Sequence, residues 1–277
     1  MLEWKGDTRV AVDGVDFVLA PTNMQAAGSA VAEGAMLLRK PRWMVEQYVA
    51  LRSQVDAANI FELGIYEGGS TALLALLFRP RRLVAVDLDT SRGNDLHTYL
   101  AANGLSESVR PYFGVDQADR ARLEEIVTQE FGSEPLDLVI DDASHLLDPT
   151  TASFNVLFPR LRPGGLFVIE DWSWQHLRDD ALEEKLRTDE KMREKFAQRF
   201  AARSGLPQYD DPLSRLVLEL VLTAAYAGNI VAEVLSVRRG WLVVRRGDAA
   251  LDPDTFDIAQ CYGGLGRTLL QDRHSDT

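Results

Sequence analysis

The stretch Phe61–Thr71, with the sequence FELGIYEGGST, decides the fold that this chain predicts. A short apolar lead-in places Glu62 at the end of a strand, and an apolar run that opens at Ser70 predicts a helix. The turn between them contains Gly64, Gly68 and Gly69. In doubly wound sheets such a unit lets the backbone approach a nucleotide-like ligand beyond the carboxyl ends of the strands. The motif is as typical of an ordinary tight turn as of a ligand-binding turn, so the residues around it must decide between the two.

The composition restricts the kinds of partner to be considered. The chain has 277 residues, enough for one large domain, and its 30 basic and 42 acidic residues give a net charge of −12. This charge argues against nucleic acid or an anionic membrane surface as partner and favours a neutral or cationic small molecule. The single cysteine, Cys261, excludes an internal disulfide, and the charged start MLEWKGDTR lacks the apolar core of a signal peptide. We therefore expect a cytoplasmic protein with no membrane span.

Beyond the glycine turn, the chain alternates predicted strands and helices. Arg9–Leu19 predicts a hairpin around an Asp-Gly pair, and Pro41 is placed where a helix begins. Residues 21–39 are interpreted as a loop or lid, and residues 177–206 as a charged, solvated helix. Further strands are predicted over 82–89, 109–115, 136–140 and 166–169, helices over 119–131 and 211–227, and a hairpin over 230–246. The order predicts an α/β fold with a doubly wound, mostly parallel sheet and a C-terminal antiparallel hairpin.

Polar side chains at the ends of the second and third strands suit a nucleotide. Asp87 lies 25 residues beyond Glu62, and an acid some 20 residues after a glycine turn is where such sheets hold ribose hydroxyls. A carboxylate suits this role because it accepts from two neighbouring hydroxyls at once. The alternative is a loop acid that caps the next helix. Asp116 and Gln117 follow the third strand and are placed to contact an adenine edge, although a helix cap is as typical of Asp116.

Two later strands also end in acids. The run LDLVIDDASH ends in Asp141 and Asp142, and the run LRPGGLFVIEDWSW carries Glu170 and Asp171 at its strand end. If these strands are adjacent and parallel, their ends lie about 5 Å apart, and Asp141, Glu170 and Asp171 converge. Three carboxylates repel one another unless a cation lies among them, and oxygen ligands favour Mg²⁺, with Mn²⁺ or Ca²⁺ less favoured. The alternative is that the acids cap helices and face water.

His145 lies just past one of these strand ends. An imidazole accepts a proton near neutral pH, so His145 is a candidate general base beside a metal. Two alternatives stay open, a histidine that bonds a backbone carbonyl and one that serves as a fourth metal ligand.

With these motifs in view, the sequence resembles the class I, Rossmann-like S-adenosylmethionine-dependent methyltransferases, from about Ile60 to Gly247. The stretch ELGIYEGGS departs from the commonest glycine pattern of that class, because Tyr66 occupies the middle glycine position. Together with IDDASH and VIEDW, it is similar to the metal-dependent bacterial sugar O-methyltransferases of natural-product pathways. That group includes macrocin and mycinamicin methyltransferases and cephalosporin hydroxylase-like relatives. Similar enzymes act on methylated mannose oligosaccharides, so a mannoside is one acceptor that fits.

The resemblance implies a role for each candidate residue. The methionine end of S-adenosyl-L-methionine would contact Glu62, Gly64, Gly68 and Ser70, the ribose Asp87, and the adenine side Asp116 and Gln117. The metal ligands would be Asp141, Glu170 and Asp171, and His145 would act as the base. The acceptor would be a small molecule or oligosaccharide, and the sequence leaves open whether the chain forms a homo-oligomer. The implied parts are an N-terminal hairpin and helical extension at 1–58, the methyltransferase domain at 59–247 and a C-terminal tail at 248–277.

Three other functions remain alternatives. A catechol-type methyltransferase uses the same cofactor and metal on a phenolic diol. A nicotinamide-dependent oxidoreductase also needs a glycine turn and a ribose acid, but the turn here lacks a close Gly-x-Gly pair. A non-catalytic nucleotide-binding module has no need for converging acids and a histidine.

Overall fold

The computed structural model describes residues 2–20, 34–91, 93–176, 188–191, 194 and 212–262. Most of the predicted loop at 21–39 and of the predicted helix at 177–206 lies outside these residues, as do Asp211 and the part of the predicted tail beyond 262. The described chain contains two sheets, one built from the N-terminal segment and one from the remainder.

The smaller sheet has the strand order β1-β2-β3-β4. Its strands are β1 (Leu2–Trp4), β2 (Arg9–Val12), β3 (Val15–Leu19) and β4 (Met36–Leu38). The predicted hairpin is confirmed, because β2 and β3 pair antiparallel around Asp13 and Gly14. Both turn residues have positive φ, 49° and 89°, as a two-residue type I′ turn requires.

The larger sheet has seven strands in the order β10-β11-β9-β8-β5-β6-β7. The strands are β5 (Asn59–Leu63), β6 (Arg82–Asp87), β7 (Val109–Phe113), β8 (Leu136–Asp141), β9 (Leu161–Glu170), β10 (Val231–Arg238) and β11 (Trp241–Arg246). Strands β5 to β9 pair in parallel, whereas β10 and β11 form an antiparallel hairpin on β9. The predicted fold class is therefore confirmed.

Helices flank this sheet. They are α1 (Arg42–Leu51), α2 (Gly69–Phe78), α3 (Gly93–Ala102), α4 (Arg120–Phe131), α5 (Leu147–Leu157) and α6 (Ser214–Tyr226). Helix α1 follows Pro41 as predicted, with Met44 and Tyr48 buried and Trp43 37% exposed. Asp119 caps α4, since its carboxylate accepts from the backbone N–H of Arg122. Among the described residues, no helix combines the length and the apolar character needed to cross a bilayer.

Side-chain alternation gives the larger sheet two buried faces. On one face, Ile60, Leu138 and Val168 join a core with α1, α2 and the smaller sheet. On the other, Leu63 and Ile169 join a core with α4, α5 and α6. Strands buried on both faces need nearly continuous apolar runs, which is what β5 and β8 supply. Each polar side chain at the carboxyl edge therefore belongs to one face or the other.

Candidate functional site

The glycine turn after β5 is shaped by contacts within the protein. Gly64 has φ 96°, and a Cβ there would lie 2.3 Å from the carbonyl oxygen of Asp142. Gly68 has φ 85°, and a Cβ there would lie 2.8 Å from a methyl group of Leu96. Both positions thus require glycine for conformation and for close approach. The turn brings the loop that follows β8 against the start of α2.

Asp87, at the end of β6, holds this turn. Its Oδ2 accepts hydrogen bonds of 2.8 Å from the backbone N–H groups of Ile65 and Tyr66, and its Oδ1 accepts one of 2.8 Å from Asp89. Tyr66 has φ 53°, a left-handed conformation in place of the usual glycine. Asp87 is half-buried at the carboxyl edge of the sheet, where the ribose role predicted for it stays a prediction.

Glu62 is a fully buried carboxylate at the end of β5. Its Oε2 accepts a 2.6 Å hydrogen bond from the Thr71 hydroxyl, while Oε1 has no hydrogen-bond partner among the described residues. Burial raises the pKa of Glu62 to about 7, against the opposing effect of the neighbouring Ser70 and Thr71 hydroxyls. A buried, half-satisfied carboxylate beside the glycine turn is suited to a ligand that brings a positive charge or a donor.

Asp141 and Gln117 form a polar pair on the opposite face of the sheet. Gln117 Nε2 donates to Asp141 Oδ2 at 3.0 Å, and the Ser153 hydroxyl donates to the same oxygen at 2.9 Å. Gln117 Oε1 accepts from the backbone N–H of Ser144 at 2.8 Å. Burial raises the pKa of Asp141 to about 6, which its hydrogen bonds oppose. The hydrogen-bonding groups of these two side chains therefore have partners inside the fold. The cofactor role predicted for Gln117 and the metal role predicted for Asp141 stay predictions.

Asp116 is exposed after β7. Its Oδ1 accepts a 2.8 Å hydrogen bond from the backbone N–H of Ala118, which stabilises the turn before α4. The helix cap itself is Asp119, so Asp116 is not the cap. The adenine contact predicted for Asp116 stays a prediction.

Three side chains of types that can bind a metal converge at the carboxyl edge, namely Asp142, His145 and Asp171. One ligand atom from each lies within 4.8 Å of the others, and His145 Nε2 is 3.8 Å from Asp142 Oδ1. Asp171 keeps an exposed fraction, but the protein around it removes part of its hydration and so raises its pKa, while the neighbouring His145 opposes the shift. His145 Nδ1 is buried with no hydrogen-bond partner in the part of the chain that the structure describes.

The backbone around this cluster is held in left-handed conformations. His145 has φ 58° and Asp171 has φ 49°, and such non-glycine residues concentrate at functional sites. The indole N–H of Trp174 donates to the carbonyl of His145 at 2.9 Å. The N–H of Asp171 donates to the carbonyl of Gly240, in the β10–β11 turn, at 3.0 Å. Two separate contacts thus fix the directions of these side chains.

Glu170 is paired with a buried lysine. Lys40 Nζ donates to Glu170 Oε2 at 2.6 Å and to Asp142 Oδ2 at 2.8 Å, and the Tyr48 hydroxyl donates to Glu170 Oε1. Burial alone lowers the pKa of Lys40, but the two carboxylates raise it above its ordinary value. Burial and Asp142 raise the pKa of Glu170, and Lys40 offsets part of that shift. Lys40 therefore lies at the edge as an ammonium between two acids.

The three acids predicted to converge are thus divided by the structure. Asp171 lies in the cluster, Glu170 lies beside it in the lysine pair, and Asp141 lies on the other face. The reason is strand alternation, since Asp141 is in register with Leu63 and Ile169, whose side chains belong to the α4–α6 face. The next residue along the chain, Asp142, points to the same face as Glu170.

Sequence reasoning missed Lys40 and Tyr48 and did not place Asp142 among the ligands. A signal for Asp142 existed, because the period of two along IDDASH puts adjacent acids on opposite faces. No local pattern marks Lys40, whose partners are 102 and 130 residues away along the chain.

Comparison with known proteins supplies the family context. Residues 61–172 match the family model described as a methyltransferase domain. An 8-demethyl-8-alpha-L-rhamnosyl tetracenomycin-C 2'-O-methyltransferase of Streptomyces olivaceus is 32% identical over 161 residues, which are 52% of this chain and 37% of that protein. A demethylmacrocin O-methyltransferase of Streptomyces fradiae is 50% identical over 56 residues, which are 20% of this chain and 13% of that protein. The chain therefore spans well under half the length of these curated relatives.

Among solved structures, the MycE methyltransferase from the mycinamycin biosynthetic pathway, in complex with Mg and SAH, has a TM-score of 0.50 at 21% identity. The alignment covers 76% of this chain and 49% of that chain. The likeness concerns the fold, and the strand order described above agrees with it. Residues 61–172 thus carry the sequence signature of a methyltransferase domain, and the shared fold agrees with that match.

Proposed function

We propose that the protein is an S-adenosyl-L-methionine- and divalent-metal-dependent O-methyltransferase that acts on a hydroxyl of a sugar, glycoside or oligosaccharide, a mannoside among them. The observation that carries the proposal is the cluster of Asp142, His145 and Asp171 at the carboxyl edge of a methyltransferase domain. In open α/β sheets this edge is where ligands bind.

The cofactor site of the proposal surrounds the glycine turn. Glu62, Gly64, Gly68 and Ser70 would hold the methionine end, Asp87 the ribose, and Asp116 and Gln117 the adenine side. The buried Oε1 of Glu62, which lacks a partner among the described residues, fits a group that brings donors and positive charge. S-adenosyl-L-methionine, when bound, supplies a methyl group on a positively charged sulfur. A chain of net charge −12 favours such a cation.

The donor set of the cluster fits a hard cation. Carboxylates suit Mg²⁺, with Mn²⁺ and Ca²⁺ less favoured, and positions are left for water or the acceptor's hydroxyls. The predicted ligands were Asp141, Glu170 and Asp171, and the geometry favours Asp142 in the place of Asp141. A divalent cation, when bound, would make the acceptor hydroxyl more acidic and stabilise its developing negative charge.

His145 is the proposed base. Its Nε2 lies 3.8 Å from Asp142 Oδ1, so the imidazole lies where a hydroxyl held at the cluster would meet it. A neutral imidazole nitrogen accepts a proton, and the neighbouring carboxylate stabilises the imidazolium that forms. Asp142 and Asp171 would orient the acceptor while His145 removes its proton, which leaves positioning and charge stabilisation as the main sources of rate.

The acceptor class is inferred from the relatives. The Streptomyces olivaceus protein is named for a rhamnosyl group, and a Streptomyces antibioticus relative, 51% identical over 45 residues, is named for an olivosyl group. Tyr66 is 37% exposed beside the turn, and an aromatic ring of this kind packs against the apolar face of a sugar. A phenolic diol is the alternative acceptor, because its two adjacent hydroxyl groups would meet the cation in the same way as two neighbouring hydroxyls of a sugar.

The first experiment is a calorimetric titration of the purified protein with S-adenosylhomocysteine, with NADH as the comparison ligand. We expect S-adenosylhomocysteine to bind and NADH not to bind. Failure of S-adenosylhomocysteine to bind, with and without Mg²⁺, would overturn the proposal.

A second experiment separates the two acceptor classes. Methyl transfer to sugars and glycosides is compared with transfer to catechols, each with Mg²⁺ and with a chelator. We expect metal-dependent transfer to a sugar hydroxyl. Turnover of catechols alone would make the protein a phenolic O-methyltransferase, and full activity in chelator would remove the metal from the mechanism.

A further inference from the structure

Lys40 occupies an unusual position for a charged side chain. It is 1% exposed, and its ammonium lies 2.8 Å from Asp142 Oδ2 and 2.6 Å from Glu170 Oε2. The ring of Tyr48 lies beneath it, with the centroid 5.4 Å from Nζ. The ammonium thus contacts two carboxylates from a buried position, as a bound cation would.

The charges at this edge do not balance without Lys40. Asp142 faces Asp171 in the cluster and Glu170 across the ammonium, and Glu170 is buried as deeply as the lysine, whereas Asp142 is half-buried and Asp171 is exposed. Buried like charges repel strongly, and an uncompensated buried carboxylate destabilises the fold. The ammonium removes one of the three negative charges and bridges the two acids that it contacts.

Lys40 also opposes the binding of a second cation. Its charge repels a divalent ion at the neighbouring cluster, and it takes up acceptor positions on Asp142 and Glu170 that an ion would otherwise use. Lys40 also has an opposite effect on metal affinity, because its hydrogen bond orients the Asp142 carboxylate and so favours ion binding. At these separations in a buried site, the interaction of full charges outweighs the contribution of one hydrogen bond.

We propose that Lys40 is a built-in counter-cation that regulates the divalent-cation site: it keeps the acid edge stable when no metal is bound and sets the metal affinity lower than the acids alone would give. The inference rests on the proposed cation site and goes beyond it, since it assigns the control of metal affinity to a residue outside the ligand set. Metal binding and the Lys40 contacts are then coupled, and the coupling reaches the segment between β4 and α1.

The test is a titration of the full chain with Mn²⁺, followed by electron paramagnetic resonance, which needs no activity. Lys40→Met keeps the apolar stem and removes the charge. We expect it to bind Mn²⁺ about tenfold more tightly or better. Without metal its melting temperature should fall, and the rise on adding metal should exceed that of the wild type. The matched control is Lys5→Met, which removes an exposed ion pair with Asp16 and should leave Mn²⁺ affinity unchanged.

A second pair of variants keeps the test decisive if Lys40→Met folds poorly without metal. Glu170→Gln lowers the buried negative charge, and the double variant with Lys40→Met lacks both members of the pair. We expect the double variant to bind Mn²⁺ about tenfold more tightly than Glu170→Gln alone. Lys40→Arg keeps the charge and should stay within a few-fold of the wild type.

The outcomes are distinguishable. Equal or weaker Mn²⁺ binding by folded Lys40→Met, with the same result in the Glu170→Gln background, would overturn the role of Lys40 while leaving the cation site in place. Absence of Mn²⁺ binding in every protein would overturn the cation site and the Lys40 role together. Binding of S-adenosylhomocysteine, measured on the same samples, reports separately on the methyltransferase proposal.

Discussion

At the scale of single residues, Glu62 shows how a buried carboxylate, here a proposed cofactor ligand, lowers the stability of the fold. Burial raises its pKa from 4.5 to about 7, so between these values the folded protein holds a proton that the unfolded chain has lost. The free energy of unfolding therefore falls as the pH rises from 4.5 toward 7, because unfolding then releases the proton. Above pH 7 the charged, buried form costs on the order of 3 kcal/mol.

Replacing this residue tests that argument. Glu62→Gln should be more stable than the wild type at pH 8 and should differ little at pH 4.5, as measured by urea unfolding. The variant should also bind S-adenosylhomocysteine about tenfold more weakly, because the buried charge is gone. Glu46→Gln, which changes an exposed acid paired with Arg42, is the control and should shift neither quantity. A stability difference that is the same at both pH values would contradict the burial argument.

Substitutions of the neighbouring residues Asp141 and Asp142 should affect Mn²⁺ affinity in different ways. Asp142→Asn should lower Mn²⁺ affinity by about tenfold or more, because its carboxylate faces Asp171 and His145. Asp141→Asn should leave Mn²⁺ affinity unchanged, since the asparagine still accepts from Gln117 and Ser153 on the other face. The reverse pattern, measured by the same titration, would restore the ligand set predicted from the sequence.

The role of His145 is tested with a substitution that tolerates the left-handed backbone conformation of this residue. Because φ is 58°, asparagine is preferable to alanine, which tolerates the left-handed region poorly. We expect His145→Asn to lower kcat by about 10²-fold or more while KM and the affinity for S-adenosylhomocysteine change little. An unchanged kcat would assign the imidazole a structural role. Loss of Mn²⁺ affinity as well would identify it as a metal ligand.

At the scale of elements, the β10–β11 hairpin positions one of the cluster's acids. The carbonyl of Gly240 accepts from the N–H of Asp171 at 3.0 Å, and the indole N–H of Trp172 donates to the backbone carbonyl of Arg238 at 2.8 Å. A Cβ at Gly240 would lie 2.9 Å from Asp171 Oδ1. A side chain at residue 240 would therefore displace the carboxylate of Asp171 from its present position.

Two glycines with nearly the same φ separate backbone strain from this contact. Gly240 has φ 68° and faces Asp171, whereas Gly104 has φ 67° and has nothing within 4 Å of its Cβ position. Both alanine variants should lose stability by about 1 kcal/mol from strain alone. Gly240→Ala should in addition lower Mn²⁺ affinity by about tenfold, because Asp171 must move. Equal effects of the two variants on Mn²⁺ affinity would show that the turn does not position Asp171.

The elements were predictable where local sequence dominates. Apolar runs predicted β5, β6 and β8, and the Asp-Gly pair predicted the β2–β3 hairpin, because strand burial and turn geometry depend on neighbouring residues. Strand β9 begins at Leu161, ahead of the predicted start at residue 166, because its pairing with β8 extends across a register shift. Contacts across long stretches of chain, such as Lys40 to Glu170, leave no local pattern and were missed.

At the scale of the whole molecule, the smaller sheet shares an apolar core with one face of the larger sheet. Phe17 and Leu38 lie in one apolar cluster with Ile60 and Leu73. A Cβ at Gly69, in the first turn of α2, would lie 2.0 Å from the carbonyl oxygen of Leu37. Strand β4 therefore packs directly against the helix that follows the glycine turn. The buried Lys40 pairs extend this contact to the carboxyl edge. We infer that the N-terminal part is a structural support of the site.

This shared core predicts cooperative unfolding. Hydrogen exchange followed by mass spectrometry should give similar opening free energies for peptides that cover β2–β3 and for peptides that cover β5 and β8, because neither sheet keeps its core without the other. Lys40→Met should lower both values together in the absence of metal, since the ion pairs join the two parts. Lys5→Met, whose pair with Asp16 lies within the smaller sheet at the surface, should leave the main-sheet peptides unchanged. Exchange of β2–β3 through a separate opening of lower free energy would show that the N-terminal part folds as an independent unit.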